Sequence, residues 1–309
     1  MKKACNVFLF LLFNCILAVS LIGLNYVLRN KEYEGAQDKF KKWNPQNADI
    51  VFIGNSHQFC SVSTDLLYDE YGIESYMLAT SAQTVPMSYY AAMEAIELKK
   101  PDTIVFEASY TANDFRTVDS MDHCFFDGFP NCKAKWLALK DLAGEDAFYY
   151  LFPLGQFHSR WKELSKADFE DFPVSKRGTT HFEEVEGNTP IPLADKSETD
   201  PMPEEMEKYM DLLVDLCKDN DVKLIIYVAP FNGLYDDEGS VYDVKGRQRV
   251  FNYLASYCEK KNVEYHNMFD EVDKLSIDDS SDWMDRQHFN FRGQEKFTRY
   301  MAQNGYFGF

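Results

Sequence analysis

The stretch "VFIGNSHQFC", residues 51–60, decides the fold, because an apolar run stops at a glycine and a serine and a histidine follow directly. Buried strands of parallel sheets have continuous apolar runs of this kind. Gly54 allows a sharp turn, and Ser56 then stands at the start of a helix. Two hypotheses follow for Ser56: it is a nucleophile, or it is the N-cap of that helix, since serine is a preferred capping residue.

Four further β-type runs follow along the chain, and segments with apolar residues at three- and four-residue spacing separate them. This alternation predicts an α/β fold, a three-layer α/β/α sandwich around a five-stranded parallel, flavodoxin-like sheet. The predicted strands are 50–53, 76–79, 103–108, 223–229 and 263–267, and the predicted helices include 88–98, 204–218, 244–260 and 291–303.

Residues 7–28 are apolar with few interruptions and are long enough to span a bilayer as one transmembrane helix. A cleaved signal peptide is the alternative, but its apolar region would be shorter. Two Lys precede the span and five Lys or Arg follow it, and this bias alone would favour the large domain inside. Long domains translocate largely regardless of flanking charge, so the bias decides the orientation only weakly. We predict an anchor at 1–30, a juxtamembrane linker at 31–47, and an α/β domain at 48–309 with a long insertion at about 111–203.

The chain beyond the anchor and linker is strongly acidic. The first 42 residues carry seven Lys or Arg and three Asp or Glu, so the rest carries a net charge of −22 against −18 for the whole chain. This charge argues against nucleic acid and against densely anionic polymers as partners. The six histidines lack metal-ligand spacing, so we predict no metal and no cofactor. Cys124 and Cys132 could pair if the domain is exported.

A second motif, "SDWMDRQHFNFRGQEKF", lies near the end of the sequence and contains Asp285 and His288. A serine nucleophile needs a general base, and the base needs a group that orients it. If Asp285 holds the Nδ1 proton of His288, Nε2 is left to accept the proton of Ser56. Asn290 is the predicted cap of the last helix. His57 is predicted to line the pocket, because adjacent helical side chains diverge.

This serine block and the D-x-x-H block resemble the SGNH/GDSL hydrolase superfamily over most of residues 48–303. Within it, "GNSH", "TSAQTVPMSYYAAMEAI", "HSRW" and "HFNFRGQEKFT" are similar to the membrane-anchored, DltD-like branch of bacterial cell-envelope proteins. The resemblance implies Ser56 as the nucleophile, His288 as the base and Asp285 as its orienter. It also implies an extracytoplasmic catalytic domain and a membrane-bound O-acyltransferase as a partner.

Two blocks depart from that superfamily. Where relatives supply a glycine N–H to the oxyanion hole, this chain has Thr80 and Ser81, and the asparagine of the third block is offered by Asn113, a few residues later than expected. The resemblance therefore implies an oxyanion hole made of the N–H groups of Ser56 and of Thr80 or Ser81, with the Asn113 side chain. The candidate substrate contacts are His57, Gln83, His158 and Arg160, with packing of an aromatic-rich segment as the equal alternative for His158.

Together these features predict a single-pass protein of the bacterial cytoplasmic membrane, with an esterase or acyltransferase outside it. It would act on acyl groups, foremost O-acetyl, of a cell-envelope glycan or cell-wall polymer through an acyl-Ser56 intermediate. The net charge disfavours a polyphosphate acceptor. One alternative is a non-catalytic SGNH-like scaffold for an O-acyltransferase, in which Ser56 only caps a helix. A third is a free lipid esterase.

Overall fold

The sheet of the computed structural model confirms the predicted α/β fold. The structure describes residues 2–28, 39, 48–114, 116, 121–130, 132–170, 175–232 and 243–308. Five parallel strands lie in the order β2-β1-β3-β4-β5, which is the flavodoxin-like order. Each strand end differs from its prediction by at most one residue. The strands are β1 Ile50–Gly54, β2 Ser75–Ala79, β3 Thr103–Glu107, β4 Lys223–Val228 and β5 Glu264–Asn267.

Helices cover both faces of the sheet. The N-terminal helix is α1 Lys2–Leu28, and the helices of the sandwich are α2 Ser56–Ser61, α3 Thr64–Tyr71, α4 Val85–Leu98, α9 Glu204–Asp219, α10 Val244–Lys261 and α11 Phe291–Gln303. The helices between α4 and α9 are short: α5 Asp122–Phe126, α6 Lys133–Ala138, α7 Ala147–Leu151 and α8 Pro153–Phe157.

Alternate residues of each strand face two separate hydrophobic cores, as the two-residue period of a strand requires. Val51 and Ile53 belong to the core under α4, α9 and α10. Phe52 and Met77 belong to the core under α2, α3 and α11. Both faces of the sheet are therefore buried, which explains why the strand sequences are apolar without alternation.

Helix α4 begins three residues before its predicted start. Thr84 caps it by accepting a hydrogen bond from Met87 N–H at 3.4 Å. Pro86 stands in the first turn, where a missing N–H costs nothing. The sequence pattern underestimated this helix because its first turn is buried rather than amphipathic.

The chain between β3 and α9 has two structurally different parts. Residues 121–170 form short helical turns, whereas residues 175–203 contain no helix or strand and run over the sandwich as an extended strap. The strap is fixed by backbone bonds: Met77 N–H donates to Arg177 O at 3.0 Å, and Phe291 N–H donates to Phe182 O at 2.9 Å. It thus links the edge strand β2 to the start of α11.

One helix among the described residues, Lys3–Leu28, is long and apolar enough to cross a membrane. Its side chains are exposed over residues 3–24, whereas residues 25–28 are partly or fully covered by the rest of the protein. The linker predicted at 31–47 lies outside the described residues except for Lys39. That side chain is buried, and its Nζ donates to Ala79 O at 3.2 Å.

Candidate active site

Ser56 stands at a tight turn between β1 and α2. Gly54 has a φ of +146°, and a Cβ there would lie 3.1 Å from Glu107 Cβ on the neighbouring strand. Asn55 is the residue that caps α2, because its Oδ1 accepts a hydrogen bond from His57 N–H at 2.8 Å. The hypothesis that Ser56 is the N-cap is therefore wrong: Ser56 is the first residue of the helix. Its N–H has no hydrogen-bond partner among the described residues, as expected in a first turn.

The structure brings Ser56, His288 and Asp285 together in one line. His288 Nε2 lies 2.8 Å from Ser56 Oγ. On the other side of the ring, His288 Nδ1 lies 2.9 Å from Asp285 Oδ2 and 3.1 Å from Oδ1. This is the order of contacts by which a histidine, held in one tautomer by a carboxylate, takes the proton of a serine.

A hydrogen-bonded turn orients Asp285. Its Oδ1 also accepts from the N–H groups of Gln287 at 2.6 Å and His288 at 2.8 Å, and Met284 N–H donates to His288 O at 2.9 Å. Burial acts to raise the pKa of Asp285, but the hydrogen bonds and charge of His288 and the two backbone donors outweigh it. The net effect is a lowered pKa. The carboxylate is therefore ionised at neutral pH.

The start of α11 and the strap both contact the loop that carries Asp285 and His288. Asn290 caps α11, as predicted, with Oδ1 accepting from Arg292 N–H at 3.0 Å, and its Nδ2 donates to Ser281 O at 2.8 Å. Gly293 packs so closely under the turn that a Cβ would overlap Asp282 O. The strap adds a bond from Glu186 N–H to Trp283 O at 3.3 Å.

His57 packs behind His288. Its ring centroid is 5.1 Å from that of His288 and 4.5 Å from that of Phe231, and only 2% of the residue is exposed. Burial, followed by the charges of His288 and Arg247, lowers the pKa of His57 well below its usual value, while a hydrogen bond to the backbone of Gln287 opposes the shift. His57 is therefore neutral and supports the His288 ring, whereas its predicted contact with substrate stays a prediction.

Of the predicted oxyanion residues, Thr80 and Ser81 lie in the turn after β2, and Asn113 lies in the segment after β3. Thr80 N–H is already engaged, since it donates to Gly54 O at 3.3 Å and to Gln83 Oε1 at 3.1 Å. Gln83 is buried and its Nε2 donates to Ser88 Oγ at 3.2 Å, so it braces the turn after β2. Ser81 is next in that turn, and Asn113 is buried, with no hydrogen-bond partner for Oδ1 among the described residues.

His158 and Arg160 lie at the end of α1 rather than at Ser56. Arg160 Nη1 donates to Leu28 O at 2.9 Å, and His158 Nδ1 is 2.9 Å from Gly155 O. Within the described part of the chain, neither residue forms a hydrogen bond with the triad. A contact of either side chain with substrate thus remains only a sequence-based prediction, and packing at α1 is what the structure shows.

Sequence reasoning missed a buried network that holds the turn before Ser56. Asn55 Nδ2 donates to Ser109 Oγ at 2.9 Å, and Ser109 Oγ donates in turn to Glu107 Oε2 at 2.8 Å. Glu107 also accepts from Ala229 N–H at 3.3 Å. Burial raises the pKa of Glu107 to about 7, although the hydrogen bonds of Ser109 and Ala229 and the charge of Arg247 act against the rise. The available signal was a glutamate ending the apolar strand "TIVFE".

The structure bears on two further expectations. Cys124 and Cys132 are not joined by a disulfide. Within the described ranges, no group of three or more His, Cys, Asp or Glu side chains is arranged to hold a metal ion. The site itself brings together a serine hydroxyl, an imidazole and a carboxylate.

No family model and no curated protein sequence matches the chain. Solved structures align with most of it at low identity. They include an acetylxylan esterase from Geobacillus stearothermophilus (15% identity, 87% of this chain and 97% of that chain, TM-score 0.43) and a GDSL-like lipase from Bacteroides thetaiotaomicron (9%, 83% and 86%, 0.41). A psychrotrophic esterase from Pseudoalteromonas aligns at 13% identity, 82% and 94% coverage, with a TM-score of 0.39. With TM-scores below 0.5, these likenesses carry no argument about function, which rests on the geometry of the site.

Proposed function

We propose that this protein is a serine acyl-transfer enzyme of the SGNH/GDSL type, and that it forms an acyl-enzyme on Ser56. The observation that carries the proposal is the continuous line of contacts from Ser56 Oγ through His288 to Asp285, with distances of 2.8 and 2.9 Å. A serine that only capped a helix would not need a histidine on its hydroxyl. The cap is already supplied by Asn55.

The proposed reaction has two halves. Ser56 Oγ attacks the acyl carbonyl while His288 Nε2 takes the hydroxyl proton, and His288 then gives that proton to the leaving alcohol. Asp285 stabilises the imidazolium that forms between these steps. In the second half an acceptor hydroxyl, from water or a sugar, attacks the acyl-enzyme with His288 again acting as base, and Ser56 is released.

The oxyanion of the tetrahedral intermediate needs donors that are not already used. Ser56 N–H meets this requirement among the described residues, and it points from the first turn of α2, where helix donors are unsatisfied. Thr80 N–H is engaged with Gly54 and Gln83, so Asn113 Nδ2 is the preferred further donor in this proposal.

We infer that the substrate carries acyl groups, foremost O-acetyl, on a neutral or weakly charged glycan outside the cytoplasmic membrane. Helix α1 supports a membrane location, because it is apolar and exposed over residues 3–24. The net charge of −22 beyond residue 42 disfavours a polyphosphate. The sequence likeness to the DltD-like branch adds a membrane-bound O-acyltransferase as partner and makes transfer to a sugar hydroxyl an alternative to hydrolysis.

A catalytically inactive scaffold is the second candidate, and the engaged Thr80 N–H favours it, since an oxyanion hole that lacks one donor is weakened. The two candidates differ in whether Ser56 is activated. An activated serine reacts with a fluorophosphonate, whereas an ordinary surface hydroxyl does not.

The deciding experiment is intact-mass spectrometry of the detergent-solubilised full chain after incubation with a fluorophosphonate. We expect one adduct, on Ser56, that is lost in Ser56→Ala and in His288→Ala. His158→Ala is the matched control, because that histidine bonds to Gly155 O in a turn that contacts α1, and it should keep the adduct. A folded wild-type protein without an adduct would exclude the enzyme and favour the scaffold.

A further inference from the structure

Large aromatic side chains are exposed on the helical part of the insertion, within residues 147–169. Five of them are each 46 to 65% exposed. Exposed apolar residues are ordinary when scattered, but a local concentration of large ones marks a surface that contacts something. Ring contacts join Phe148 to Tyr149 and to Phe152, and the short turns that carry Trp161 and Phe169 both contact α1. We call this group the aromatic platform: Phe148, Tyr149, Phe152, Trp161 and Phe169.

Helix α8 provides the first link between the platform and the end of α1, which it contacts directly. Leu154 N–H donates to Asn25 Oδ1 at 2.9 Å. Phe152 precedes α8 as its N-cap residue and packs against Phe148, with ring centroids 5.0 Å apart. The first part of the platform is therefore tied to the last turns of α1.

Arg160 provides the second link. Its guanidinium donates to Leu28 O at 2.9 Å and to Asp168 Oδ1 at 2.7 Å. The carbonyls of a last helical turn have no donor within the helix, so Arg160 caps α1. Trp161 follows Arg160 and Phe169 follows Asp168 in the chain. The second part of the platform thus lies beside the capped end of α1.

The length of α1 fixes the height of the platform relative to a bilayer. Residues 3–24 are exposed, and at 1.5 Å per residue they span about 33 Å. The hydrocarbon core is about 30 Å thick. The covered residues 25–28 therefore lie where the hydrocarbon ends, and the platform lies at the level of the headgroups. Tryptophan and tyrosine prefer this level, and Lys162 beside Trp161 can reach lipid phosphates.

We propose that the aromatic platform inserts into the headgroup region of the bilayer that α1 spans, and thereby holds the catalytic domain against the membrane surface. The inference rests on the membrane anchoring in the proposed function and deepens it. An anchor alone would leave the domain on a tether, whereas two fixed contacts, α1 and the platform, set its orientation. The Ser56 site then works at a constant height above the membrane.

Quenching of tryptophan fluorescence by brominated lipids tests this in the full chain. The protein has four tryptophans, of which Trp283 is fully buried. A Trp43→Phe/Trp136→Phe background leaves Trp161 as the reporter and Trp283 as the internal reference, and adding Trp161→Phe gives the matched control. The proteins are reconstituted in phosphatidylcholine and phosphatidylglycerol vesicles with or without bromine on the upper acyl chains. Flotation on a density gradient reports insertion separately.

If the platform contacts the bilayer, the Trp161 emission falls at least twofold in brominated vesicles and the loss disappears with Trp161→Phe. If the protein floats with the vesicles but Trp161 is not quenched, the platform does not touch lipid. The inference is then overturned, while the anchor stands. If the protein does not float, the proposed anchoring is wrong and the inference falls with it.

Discussion

Replacing Asp285 by asparagine tests the proposal that His288 acts as a base oriented by Asp285. The asparagine Oδ1 can still accept from Gln287 and His288 N–H, so the turn survives. Its amide NH₂, however, faces His288 Nδ1 and forces the proton onto Nε2. That tautomer cannot accept the proton of Ser56, although the three side chains keep their positions.

The expected magnitude follows from the lost contact. A hydrogen bond to a charged group contributes about 1.5–3 kcal/mol, and each 1.36 kcal/mol is a tenfold change in rate, so the lost bond alone slows the reaction roughly 10- to 150-fold. The wrong tautomer adds to this loss, and we expect about 10²- to 10⁴-fold in total. The assay is the second-order rate of fluorophosphonate labelling, which needs no knowledge of the substrate.

Two comparisons make this prediction decisive. Asp278→Asn is the matched control, because Asp278 Oδ1 accepts from Ser280 N–H at 2.8 Å in a similar turn of the same loop, and it should label within about twofold of wild type. The double variant Asp285→Asn/His288→Ala should label as slowly as His288→Ala, since Asp285 acts only through His288. A rate for Asp285→Asn within threefold of wild type, or additive losses in the double variant, would refute the reasoning.

Three further predictions concern the supports of the site. Asn55→Ala removes the cap of α2 and the bond to Ser109, so we expect the free energy of unfolding to fall by about 1–2 kcal/mol and labelling to slow. Ser63→Ala, which uncaps α3, should lower the melting temperature similarly without slowing labelling. Equal labelling of both variants would contradict this. Gly293→Ala should lower the melting temperature, with a loss of roughly 1–3 kcal/mol, because the new methyl group overlaps Asp282 O, and a wild-type melting curve would contradict it. The pKa of Glu107 is raised from 4.5 to about 7 in the folded protein, so its contribution to stability is complete below pH 4.5 and is lost as the pH rises through 7. In the wild type the free energy of unfolding should fall by roughly 3 kcal/mol over that range, and in Glu107→Gln this fall should be absent. Thermal unfolding at several pH values measures it, and identical pH slopes in both proteins would count against the prediction.

The two parts of the insertion support different elements. The strap holds the loop of Asp285 and His288 through Glu186 and Phe182, and it also pairs with the edge of β2 through Arg177. The helical part contacts the end of α1 through Arg160 and Leu154. One long segment between β3 and α9 thus connects the end of the apolar helix to the sheet that positions the serine.

The sequence by itself determined the five strands and the four long helices of the sandwich, because such elements depend on residues that are close in the chain. All five strands were predicted within one residue, and the Asn290 cap was predicted correctly. The pairing of Asp285 with His288 is also local, since one turn brings them together. Their catalytic role, like that of Ser56, stays a prediction until labelling tests it.

Only the tertiary structure decided which distant groups meet. Ser56 and His288 are 232 residues apart, and the order of the parallel strands is what brings β1 and the loop before α11 to the same edge. The contacts of Glu107 with Ala229 and of Arg160 with Leu28 leave no periodic pattern in either segment. The physical reason is that a hydrogen bond across the fold depends on the positions of whole elements, whereas a helix or strand depends on its own side chains.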